Sequence, residues 1–209
     1  MTQRAGFTSV LWSSCLAMLA VGANSTAIMA ALPSMRTELA LSPAGVECAV
    51  NSYLVVSAAF IVLGGQAADR FGARLASIVG LALFGFASCL IATAGSEAAL
   101  LAGRALQGLA AAFAVPSTLA AVDTGAGPER RAGAIGAWTG FLMLGFSIGP
   151  LLGGALTHVT GWRVIFWLNV PLMLTAIAGL AFAGSAAARA DFAYRKQGLL
   201  PSLPRPDPQ

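Results

Sequence analysis

Charge is scarce in this sequence: Lys, Arg, Asp and Glu together make up 10% of its 209 residues. So few charges, set against 57% hydrophobic residues and a mean hydropathy of +0.79, exclude a chain solvated mainly by water. Histidine occurs once, at His158, with no acidic cluster beside it, so no ligand set for a metal is expected. The three cysteines, Cys15, Cys48 and Cys89, lie far apart without a C-x-x-C pair and read as small apolar fillers rather than a disulfide or metal framework. There is no basic patch with interleaved aromatics. The pI near 9.5 therefore gives no reason to invoke nucleic acid, and no cofactor is expected.

What the sequence has in abundance is long apolar runs. Crossing the hydrocarbon layer takes about 20 mostly apolar residues per helix. Six such runs are legible, at about 10–32, 45–67, 73–94, 98–122, 132–156 and 164–183. They lack the alternation of a barrel strand, and an open sheet would leave its edge groups unsatisfied in lipid. The expected fold is therefore an all-α membrane protein, a bundle of six transmembrane helices over residues 10–184. Residues 1–9 are expected to be a short cytoplasmic N-terminus, and 185–209, basic and then proline-rich, a disordered cytoplasmic tail. Arg4 ahead of an apolar stretch also suits a signal peptide. The first run is too long for a typical h-region and five more spans follow, so an uncleaved first helix is expected.

Lys and Arg set the orientation. With the N-terminus inside, the cytoplasmic segments hold Arg4, Arg70, Arg74, Arg130, Arg131, Arg189, Arg195, Lys196 and Arg205. The opposite side holds Arg36 and Arg163, and Arg104 lies within a span. That asymmetry predicts both termini in the cytoplasm of a multi-pass plasma-membrane protein, with its basic excess drawn to anionic lipid headgroups.

The turn between the second and third spans, "GGQAADRFGAR" at 64–74, concentrates charge where little exists. Gly64, Gly65 and Gly72 permit a tight turn and close helix approach, Asp69 is favoured by the positive end of the third helix, and Arg70 and Arg74 mark the inner side. The order is narrower than a turn requires. Gly65-x-x-x-Asp69-Arg70-x-Gly72-x-Arg74 resembles the signature between helices two and three of the major facilitator superfamily, G-x-x-x-D-R-x-G-R-R/K, with Ala73 in place of the first final basic residue. The resemblance implies a cytoplasmic gate: Asp69 caps a helix of an opposite half, and Arg74 pairs with an acid at the inner end of helix four, where Asp123 stands.

Further motifs follow in the same order. Arg104, Gln107 and Gly108 in "LAGRALQGLAAA" resemble the helix-four motif R-x-x-Q-G. An arginine within a span costs about 2.5–3.5 kcal/mol on insertion scales and reads as functional, or as snorkelling near the helix end. In the fifth span, Gly145-x-x-x-Gly149-Pro150-x-x-Gly153-Gly154 resembles the motif of the antiport branch, with Pro150 adding a kink, while generic small-residue packing is the plainer reading. "GWRVIFWLNVP" at 161–171 resembles the entry to helix six of the fourteen-span drug:proton antiporters of the EmrB/QacA type, although Trp162 and Trp167 also suit an interfacial belt. In the first span "ANSTAIMAALPSM" is similar to D-x-T-I-V-N-x-A-L-P of those exporters, with Asn24 where they carry an acid linked to proton coupling. An amide does not titrate, so Asn24 carries no proton and Arg104 loses an obvious counter-charge. In the second span Cys48 stands where tryptophan is common, while Asn51 and Tyr53 fit.

The resemblance implies one half of a major facilitator fold, two inverted three-helix repeats, in a transporter that exports hydrophobic or cationic drugs against protons across the cell's inner membrane. It covers about residues 10–184. Either a second copy of the chain replaces the missing half in a homodimer, or the chain is a truncated, transport-inactive fragment whose helix faces, including the glycine face of span five, have lost their partner. A membrane interaction protein without transport needs only the helix faces. Gly145-Phe146-Ser147-Ile148-Gly149 also matches G-x-S-x-G of serine hydrolases, but Ser147 lies in a helical run and His158 about 16 Å along it, which disfavours an intramembrane protease. No enzyme is expected.

Overall fold

The computed structural model describes residues 2–196, with side chains for residues 6–184. The described chain forms α1 (Thr2–Leu39), α2 (Pro43–Phe71), α3 (Ala73–Ala92), α4 (Glu97–Gly125), α5 (Pro128–Thr160) and α6 (Arg163–Lys196). All six contain a stretch long and apolar enough to cross a membrane, from Gly6–Leu39 in α1 to Arg163–Gly184 in α6. A helix satisfies its own backbone groups, which lipid cannot do for it, so apolar runs of this length fold this way. Local chemistry sets the ends. Ser42 Oγ accepts the Gly45 N–H at 2.9 Å and Pro43 opens the first turn of α2. Ser96 starts α4 in the same manner, accepting from Ala99 N–H at 3.3 Å.

Helix α6 continues past the boundary expected at 184 and reaches Lys196. The stretch Ser185–Lys196 is rich in alanine and arginine and contains neither glycine nor proline, so its intrinsic preference extends the helix beyond the apolar run. Residues 197–209, the proline-rich part of the expected tail, lie outside the described residues.

The packing has an internal symmetry. α1 packs most extensively on α5, and α4 correspondingly on α2; α1 packs on α6 as α4 does on α3, and α3 meets α6. Exchanging α1–α3 with α4–α6 leaves that pattern unchanged. Three spans carry a chain from one side of the membrane to the other, so the second trio begins on the opposite side and the repeats are inverted. Small residues make the main seams. A Cβ on Gly145 would meet Ala23 N at 2.8 Å, one on Gly149 would meet Ala23 O at 2.6 Å, and one on Gly153 would meet Ala27 Cα at 2.8 Å. Across the other seam, Gly64 lies against the backbone of Ala112 and Phe113, and Gly108 against that of Tyr53. Between lipid-solvated helices such close backbone approach provides the dispersion contacts that hydrophobicity does not. Of the glycines of span five, Gly145, Gly149 and Gly153 have their partner in α1, against the alternative in which that face had lost it, while Gly136 and Gly140 meet nothing within 4 Å.

Two apolar clusters fill the bundle. One, toward the end where α2 turns into α3, includes Cys15, Met18, Leu81, Phe84, Trp138, Met173 and Leu180. The other, toward the opposite end, includes Ile28, Met35, Ile91, Leu100, Trp162 and Phe166. Along α1, α3, α4 and α6 a polar layer falls between them.

Candidate functional site

That layer is built on Arg104, which is fully buried on α4 about 10 Å from the helix start at 1.5 Å per residue. The snorkelling alternative is thereby excluded. Arg104 Nε donates to the Ala49 carbonyl at 3.0 Å, Nη1 to Gln107 Oε1 at 2.6 Å, and the guanidinium lies over the Tyr53 ring at 4.5 Å. Gln107 is one turn along the same face, so its carbonyl oxygen also accepts from Asn24 Nδ2 at 3.1 Å. Asn24 Oδ1 accepts from Asn169 Nδ2 at 2.8 Å. Ser88 closes the circuit: its hydroxyl accepts from Gln107 Nε2 at 2.8 Å and Asn169 Nδ2 at 3.3 Å, and donates to Phe84 O at 2.8 Å. Ser25 Oγ, 3.0 Å from the Tyr53 hydroxyl, links α1 to α2. Five helices thus meet through neutral groups around one cation. No ion pair of Arg104 is found among the described residues, and its Nη2 is buried without a hydrogen-bond partner.

The turn at 69–74 lies at the end of the bundle labelled inner after the charge asymmetry. Gly72 has φ 89°, a conformation that glycine adopts without a Cβ clash. Asp69 is exposed and makes no hydrogen bond or ion pair among the described residues. Arg70 lies over the Phe71 ring at 5.6 Å. Arg74 does not reach Asp123. Its Nε donates to Leu180 O at 2.8 Å and its Nη2 to Ala181 O at 3.1 Å, because α3 packs on α6 and turns this face toward it. Asp123, at the end of α4, is taken by Arg131 from the first turns of α5, with Arg131 Nη2 donating to Asp123 Oδ2 at 2.8 Å. The expected Arg74–Asp123 pair is replaced by these two contacts.

A matching turn lies at the other end. Gly161 has φ 92°, and Arg163, like Arg74, stands two residues after its glycine. Arg163 Nη2 donates to Ala94 O at 3.0 Å, at the end of α3, and Nη1 pairs with Glu38. Glu38 also accepts from Trp162 Nε1 at 2.7 Å. Trp162 is buried, so the interfacial-belt reading fails for it, while Trp167 is exposed.

The motif residues of α5 lie in or near the α1–α5 seam. Pro150 lacks an N–H and so frees the carbonyl four residues earlier; the Thr26 hydroxyl of α1 donates to that oxygen, Phe146 O, at 3.0 Å. Gly154 is at ordinary contact distance, 3.9 Å, from Ala30 Cβ, and Gly65 faces open space. Ser147 donates to Met143 O at 2.9 Å within its own helix, and His158 is exposed on that same helix, so the G-x-S-x-G match brings no base to its serine. Among the described residues no cluster of His, Cys, Asp and Glu suits a metal.

Sequence reasoning placed Asn24, Arg104 and Gln107 but not Asn169, Ser88, Ser25 or Glu38. Asn169 had a usable signal, an amide inside an apolar run, where a polar side chain needs a partner. Ser88 had none, since a serine in a span is equally a small packing residue.

The sequence model described as Major Facilitator Superfamily matches residues 14–205. The methylenomycin A resistance protein of Bacillus subtilis is 36% identical over 170 residues, which cover 81% of this chain and 36% of that protein. The tetracenomycin C resistance and export protein of Streptomyces glaucescens is 34% identical over 205 residues, 95% of this chain and 38% of that protein. The uncharacterized transporter EfpA of Mycobacterium tuberculosis is 39% identical over 156 residues, 74% and 29% respectively. The chain spans about a third of the length of these relatives.

Proposed function

Because the chain belongs to the Major Facilitator Superfamily, whose members are transporters and generally not enzymes, we propose that it serves as the N-terminal six-helix half of an exporter of small drug-like molecules. The observation that carries this reading is the polar layer around Arg104. A bundle held together by apolar packing has no need of a buried cation, and a charge kept at such depth despite its cost marks a functional group. The resistance and export roles in the names of the relatives support the same class.

In this fold the substrate path lies between two six-helix halves. A second half, or a second copy of this chain, completes the path, and both termini lie in the cytoplasm of a plasma-membrane protein. Asp69, free of partners among the described residues, is the group that engages this second half when the inner side closes. Proton antiport, the coupling the resemblance implies, needs an acid other than residue 24, since the Asn24 amide does not titrate.

Expression of the chain in an efflux-deficient bacterial strain tests the reading through accumulation of a fluorescent drug-like dye. Lower accumulation is expected, with Asp69→Asn restoring it several-fold while membrane insertion, followed by immunoblot, stays unchanged. Equal accumulation in cells with the chain, the variant and an empty vector would remove the export function from this chain.

A further inference from the structure

Arg104 is the one fully buried charge among the described residues, and every side chain that surrounds it in the hydrogen-bonded layer is neutral: Asn24, Gln107, Asn169, Ser88 and Tyr53. A buried cation without a counter-charge is costly, and breaking the balance of a buried pair costs more than the pair contributes. The described acids do not supply one. Glu38 is taken by Arg163 and Trp162, Glu97 accepts from Ser42 N at 2.7 Å, Asp123 is taken by Arg131, and Glu47, Asp69 and Glu129 are exposed. A guanidinium has five N–H donors. Two of Arg104's are used, on Ala49 O and Gln107 Oε1, and Nη2 is buried with none of its hydrogens accepted.

We propose that Arg104 Nη2 is the attachment point of a small monovalent anion, a carboxylate on the transported molecule or a free halide, with Asn24 as the residue that sets this preference. The chemistry of the donor is specific: a guanidinium offers planar paired hydrogens that fit two carboxylate oxygens. Asn24 reaches Gln107 Oε1, the atom that Arg104 Nη1 also reaches, so a carboxylate at position 24 would stand one side chain from the guanidinium and compete with an external anion. The neutral amide leaves the positive charge available. The Tyr53 ring and the Ala49 carbonyl of α2 cover the guanidinium. The inference deepens the exporter reading and rests on it for the word "transported", replacing the cationic class that the resemblance implies by an anionic one. Binding itself requires no transport.

The test uses the purified chain in nanodiscs, with thermal unfolding followed by tryptophan fluorescence against sodium benzoate and, separately, sodium chloride at constant ionic strength. A saturable rise of about 4 °C at ten times the half-saturating concentration is expected for the wild type. Asn24→Asp, which keeps the size of the side chain, should raise the midpoint without ligand and abolish the response; Arg104→Gln should abolish it too. A response to benzoate alone assigns the site to a carboxylate, and a response to chloride at the same site assigns it to a free halide. No saturable shift in the wild type, or an equal shift in Asn24→Asp, overturns the anion site, whatever the dye assay gives for export.

Discussion

The first three helices and the last three are packed alike and charged differently. Each trio places a glycine of its middle helix against the first helix of the other, Gly64 on α4 and Gly145, Gly149 and Gly153 on α1. Each ends its middle helix at a glycine with positive φ, Gly72 or Gly161, and sends an arginine two residues later onto backbone carbonyls of the other trio's third helix or its end. The resemblance stops at the acids. At the Gly161 turn Glu38 binds both Arg163 and Trp162, whereas at the Gly72 turn Asp69 binds nothing described and Arg74 has carbonyls alone. Packing symmetry is imposed by the requirement that two trios enclose one another. Charge is free to differ, and here the Gly161 turn is fastened within the bundle by an acid while the Gly72 turn keeps Asp69 unused.

The seams are where breaking this equivalence has the largest effect. Gly149→Leu forces a side chain into Ala23 and Thr26, and Gly64→Leu forces one into Ala112 and Phe113. Overpacking of this kind against backbone costs about 1–3 kcal/mol or more. Both variants should lose most of their monodisperse folded material on size-exclusion chromatography, to similar extents if the trios are equivalent. Gly136→Leu, at a glycine with nothing within 4 Å, should elute as the wild type does. A large loss in one seam only would show that the two are not matched.

Arginine replacements at the two turns come next. Arg163→Ala removes an ion pair and a carbonyl contact and leaves Glu38 with Trp162 alone, whereas Arg74→Ala removes only carbonyl contacts at an exposed site. The Glu38 pair is half-exposed, so solvent screening holds its contribution to about 1 kcal/mol, and Arg74→Ala should cost a fraction of that. Unfolding in mixed micelles measures the difference; equal losses would mean that Glu38 adds nothing to the turn.

How much of this was legible beforehand depends on the kind of contact. Long apolar runs and the order of Asp69, Arg70, Gly72 and Arg74 showed the six helices and the turn between α2 and α3, because both are written in consecutive residues. Arg104 was legible from its cost in a span. Its setting was not, since Ser88 and Asn169 sit on other helices and only packing brings them to Gln107 and Asn24. The pairing of Arg74 failed for the same reason. Asp123 lies at the correct end of α4, but side chains from a neighbouring turn, here Arg131, compete for an acid at a helix end, and sequence spacing says little about which arrives.

The smallest expected effect concerns that competing pair. Arg131 and Asp123 link α4 and α5 across their short connection at the inner end, and Arg131 is well exposed, so water and salt screen the interaction. Asp123→Asn should leave thermal unfolding unchanged within error at physiological ionic strength, and Arg74 should keep its carbonyl contacts on α6, since they do not depend on residue 123. The double variant Asp123→Asn/Arg74→Ala should therefore equal the sum of the two single variants, as expected for groups without shared partners. Coupling between them in that cycle would bring back a direct Arg74–Asp123 pair and make the Gly72 turn, like the Gly161 turn, fastened by an acid.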